Sequence, residues 1–146
     1  MSTLPVILLV GLIAGASVGI QSPIAGAMGQ RVGGLASSFI VHFSGMLFSA
    51  VFLIFRGGEK FQDWTKLPWY MLISGVFGVI LYQCISIVLP RLGGTLMVTL
   101  IIIGQLLVNV LVDHFGWLGV ATHPITPARG LGIAILLLGG YLIARF

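Results

Sequence analysis

The chain has 146 residues, of which 58% are apolar and only 7% charged, and its formal net charge is +4. A soluble domain carries about a quarter of its residues as charges, so this composition excludes one and points to lipid. The positive charge does not indicate nucleic acid either, because the basic residues stand singly between apolar runs and form no patch.

Runs of about 17 to 25 apolar residues can cross a hydrocarbon core of roughly 30 Å. Five such runs predict an all-α integral-membrane bundle of five transmembrane helices, a single domain over 1–146 with no linker and no tail. A barrel is excluded, because the runs lack strand alternation and each is about twice a barrel strand's length. The first run covers 4–27. Its Gly11, Gly15 and Gly19 recur every four residues and lay a flat stripe for close helix packing, continued by Ser22, Gly26 and Gly29. Ala25-Gly26-Ala27 resembles a signal cleavage site, but no Lys or Arg precedes the run and it exceeds a signal core in length, so an uncleaved span is expected. Arg31 and Gly33-Gly34 break the pattern.

The second run, 36–55, ends at Arg56, Gly57 and Gly58. Ser38, His42, Gly45 and Ser49 share one helical face, opposite Phe39, Phe43, Phe48, Phe52 and Phe55. The third run, 68–89, starts with Pro68 in a first-turn position and with Trp69 and Tyr70 at interface depth. Gly75, Gly78 and Tyr82 form its small-residue face, and Cys84, the one cysteine, reads as a packing residue. Pro90, Arg91 and Gly93-Gly94 are expected to close it. In the fourth run, 95–112, Gln105 and Asn109 climb one side with Asp113 at steps of four, while Ile103 is expected to face lipid. The fifth, 128–144, follows a linker with Pro124 and Pro127. The longest connections, 56–67 and 113–127, are too short for a soluble catalytic domain.

Large polar side chains inside spans are costly unless they find partners or face a wet cavity. Gln21, His42, Gln83, Gln105 and Asn109 fall within four of the five spans, and with Tyr82 they are the candidate lining of a central cavity that binds a small solute near the midplane. For His42 a structural hydrogen bond is the competing reading. No Asp or Glu lies near the middle of a span, which disfavours cationic solutes and leaves neutral or zwitterionic ones. Histidine is the side chain that changes charge near neutral pH, so proton coupling would run most simply through His42.

Catalysis and metal binding are both disfavoured. His42 and Ser44 are two apart on a helix and face different ways, so they do not form a base and nucleophile. His114 and His123, nine positions apart beside Asp113, match no standard ligand spacing and read as solvated loop histidines. No cofactor is called for. If loops alternate sides, Arg56, Lys60, Lys66 and Arg129 lie on one side and Arg31, Arg91 and Arg145 on the other, four against three. Positive-inside bias has little to act on, which predicts insertion in both orientations.

The segment GQLLVNVLVDHFGW from Gly104 to Trp117, Ile125-Thr126, Arg129-Gly130, and Gln21-Ser22-Pro23 followed by Arg31, Gly33 and Gly34 together resemble the YdcZ-type branch of the drug/metabolite transporter superfamily. The resemblance covers essentially the whole chain. Where members of this branch often carry Asn after the first-span Gln-x-Pro, this chain has Ala25-Gly26. The resemblance implies a five-helix half-unit of a ten-helix inverted-repeat transporter in the bacterial inner membrane, with a small-molecule substrate between the halves. It also implies a partner, either an inverted second copy or a similar five-span chain. A structural or assembly subunit of a heteromeric transporter remains the alternative.

Overall fold

A computed structural model describes residues 4–146, and they form only helices and turns. Helix α1 (Leu4–Val32) is followed by α2 (Gly34–Phe55), a 3-10 turn at Phe61–Lys66, the one-turn helix α3 (Trp69–Leu72), α4 (Gly75–Phe115), a 3-10 turn at Trp117–Gly119, and α5 (Pro127–Arg145). Among the described residues four apolar helical stretches are long enough to cross a membrane, the third running from Trp69 to Phe115. The protein is thus an all-α, multi-pass membrane bundle.

That third stretch joins the expected third and fourth spans, and it corrects the expectation that Pro90 and Arg91 end a helix. α4 runs straight through both residues, and the break falls at Gly93, with φ 75° and ψ 169°. The physical reason lies in α1. Pro90 has no N–H to offer the carbonyl four residues earlier, and Gln30 Nε2 donates to that carbonyl, Ser86 O, at 2.6 Å. With its orphaned acceptor satisfied from outside, the helix tolerates the proline. Gly93 is different, because positive φ with ψ near 180° is open essentially only to glycine. Gly33 repeats the arrangement with φ 89° and ψ 151°, so Arg31-Val32-Gly33-Gly34 and Arg91-Leu92-Gly93-Gly94 mark two breaks by the same device.

Contacts divide the chain into two units, Met1–Arg91 and Leu92–Phe146. In the first, the core gathers around the α1–α2 turn. Ser22, Ala25, Gly26 and Gly29 of α1 and Ser37 and Ser38 of α2 are buried, together with Tyr82 and Ile85 of α4. Ser37 Oγ donates to Ala25 O at 2.7 Å, tying α2 to α1. A side chain added at Gly26 would strike Leu89, at Gly29 Ser86, and at Gly34 Gln83, so the missing Cβ atoms let α4 approach both helices. After α2, Gly57 and Gly58 adopt positive φ, and Gly58 N closes back on Leu53 O at 2.7 Å. The following loop holds the ion pairs Arg56–Glu59 and Lys66–Asp63, both exposed.

In the second unit, Met97 is buried, and Gly140 of α5 makes room for Ile103 and Thr99 of α4. This corrects the placement of Ile103 against lipid: the hollow left by Gly140 draws the isoleucine inward. Most other apolar side chains stay accessible in the chain alone, Leu12 at 72% and Phe39 at 70% among them. Such a surface suits lipid or another membrane helix.

Candidate functional site

His42 is the centre of a polar cluster in the first unit. Its Nδ1 lies 2.7 Å from Ser38 O. A carbonyl only accepts, so Nδ1 carries the hydrogen and, in the neutral ring, Nε2 keeps its lone pair. Nε2 is directed at Gly78, where any Cβ would collide with it. Tyr82, 8% exposed, presents its ring to the imidazole at 5.5 Å and 89°. The result is an imidazole acceptor walled by an aromatic ring and a glycine. Gln83, next along α4, turns to the α1–α2 junction and packs against Gly34. Ser44 Oγ donates to Val41 O at 3.0 Å on its own helix.

The remaining expected site residues lie apart from this cluster. Gln21, Gln105 and Asn109 are exposed in the chain alone. A side chain at Gly11, Gly15, Gly19, Gly45 or Gly75 would meet nothing within 4 Å. Of the glycines expected to pack helices, Gly78 has a neighbour within the chain, and so do Gly26 and Gly29 further along the α1 stripe. Asp113 does not stay on the ridge of Gln105 and Asn109. Steps of four drift about 40° each around a helix of 3.6 residues per turn, so by Asp113 the ridge has rotated onto the face of Leu106 and Val110, with which it lines a cavity.

That cavity, about 400 Å³, belongs wholly to the second unit and is walled by Leu106, Val110 and Ile133, with Asp113, His123 and Arg129 as its polar members. The intervening loop is hydrogen-bonded; His123 is exposed, as expected of a solvated loop histidine, while His114 stands in the last turn of α4 and not in the loop. His123 N donates to Asp113 O at 2.7 Å, and Ile125 N donates to His114 Nδ1 at 3.3 Å. His123 Nδ1 donates to Ala121 O at 2.8 Å, and Arg129 Nη1 to His123 O at 3.1 Å. Thr126 Oγ1 accepts from Arg129 N at 3.3 Å, capping α5, with Pro127 opening the helix. Sequence reasoning missed this site. The available signal was the spacing of Leu106, Val110 and Asp113, which puts an acid at the end of an apolar stripe.

Apolar helices of spanning length define a multi-pass membrane protein. A family model described as "Putative inner membrane exporter, YdcZ" matches residues 6–142, and the chain belongs to this family, within the drug/metabolite transporter superfamily. It is therefore a multi-pass inner-membrane transporter and not an enzyme. No curated protein and no solved structure matches the chain.

Proposed function

We propose that the chain exports a small organic solute as an antiparallel dimer of five-span units, with substrate between the two copies. The fifth span arises because Gly93 divides the 69–115 stretch, which unbroken would measure about 70 Å, more than twice the hydrocarbon core. One observation carries the reading: Gln21, Gln105 and Asn109 are exposed, and Gly11, Gly15 and Gly19 have open space where a second helix would fit. Polar and small residues on spanning helices are placed for protein contact, not for acyl chains. The near balance of basic residues between alternate loops supports insertion both ways. Export, as the direction, rests on the family's description.

A topology reporter fused after Phe146 is expected to signal from both sides of the membrane. Signal from one side only, in cells lacking related proteins and with transport intact, removes the antiparallel homodimer; loss of transport in those cells favours a heteromeric subunit.

His42 is the proposed proton carrier, since its Nε2 lone pair lies beside Tyr82 and Gly78. His42→Gln is expected to abolish proton coupling, read as loss of the pH dependence of transport. A folded variant with the wild-type pH profile would restrict His42 to bonding Ser38.

A further inference from the structure

We infer that the α4–α5 cavity binds a small zwitterion with an aliphatic body, its ammonium on Asp113 and its acidic group on Arg129. Asp113 and Arg129 line one cavity yet do not pair with each other: the ion pairs among the described residues are Arg56–Glu59 and Lys66–Asp63. Each charge also sits at the wrong end of its helix. Asp113 is in the last turns of α4, where the backbone dipole disfavours an anion, and Arg129 is in the first turn of α5, where it disfavours a cation. Neither the helices nor a mutual salt bridge accounts for these two charges. An occupant bearing both opposite charges does.

The rest of the cavity defines the occupant further. A singly charged cation would leave Arg129 without a counter-charge in the cavity, and a singly charged anion would leave Asp113 so, whereas a zwitterion answers both. Arg129 uses Nη1 on His123 O, which fixes the guanidinium while its other donors remain for a carboxylate or phosphate. Leu106, Val110, Ile133 and Leu136 supply an aliphatic wall. The volume of about 400 Å³ holds on the order of a dozen water-sized groups at ~30 Å³ each, enough for an apolar amino acid or the headgroup region of a zwitterionic lipid. All lining residues lie in Leu92–Phe146, so the inference stands whether or not the chain dimerises.

The test titrates the purified full chain with leucine, leucinamide and 4-methylpentanoate. In parallel, native mass spectrometry compares retention of phosphatidylethanolamine and phosphatidylglycerol. Leucine is expected to bind about tenfold or more tighter than either singly charged analogue, the worth of one lost charged hydrogen bond. Asp113→Asn should erase the advantage of leucine over 4-methylpentanoate, and Arg129→Gln its advantage over leucinamide, a charge-specific exchange that general unfolding does not produce. If leucine is inert but phosphatidylethanolamine is retained preferentially and Asp113→Asn removes that preference, the zwitterion is a lipid headgroup. If neither arm distinguishes a zwitterion from a singly charged molecule, the site assignment is wrong.

Discussion

Gly93→Val is expected to destabilise the protein more than any substitution elsewhere on α4 outside the core. Gly93 holds φ 75° and ψ 169°, a region that costs an L-residue about 1–3 kcal/mol, with a β-branched side chain at the upper end. Relaxation offers no relief, because helical backbone at Gly93 would make one continuous rod of Gly75–Phe115, about 60 Å long. That is twice what the bilayer accommodates. Gly94 lies on helical backbone, so Gly94→Ala avoids the strain. Thermal melting in detergent compares the two. Equal melting temperatures for Gly93→Val and wild type would show that the break does not depend on glycine.

Gln30→Leu is expected to destabilise as well, through a carbonyl it does not own. Ser86 O lost its helical donor to Pro90 and accepts from Gln30 Nε2 instead. The net loss of such a bond costs about 0.5–1.5 kcal/mol, rising toward about 3 kcal/mol where no other donor reaches Ser86 O. Pro90→Ala restores an N–H at the position that should bond Ser86 O. In that background Gln30→Leu should cost little, and the coupling between the two substitutions should approach the full single-mutant loss. Additive effects in the double-mutant cycle would disprove the relation between Gln30 and Pro90.

Long apolar helices were legible because length and apolarity suffice to identify them, though four such stretches stand where five were expected, and the Gly-Gly pairs located both breaks. Which residue of 90–94 breaks α4 was not legible. The answer depends on Gln30, some 60 positions away, and no local pattern contains it. The same limit applied to Ile103, whose inward position is set by the missing side chain of Gly140. For the site, helical spacing put His42 and Ser38 on one face correctly, but the meeting of His42 with Tyr82 and Gly78 is a tertiary contact. Asp113, His123 and Arg129 read as ordinary helix-end and loop charges because their common cavity needs the loop to fold back, through His123 N on Asp113 O.

The single-residue joint at Gly33 has no slack. α1 ends at Val32 and α2 begins at Gly34, so one residue added or removed there rotates all of α2 by about 100° relative to α1. Ser37 would swing away from Ala25 O, and the polar face carrying Ser38 and His42 would turn toward lipid. The 56–68 and 116–126 segments can absorb such changes without moving a helix face. Among aligned relatives, length variation should therefore collect in those two loops and be missing from 32–34, leaving the joint as a gap-free column.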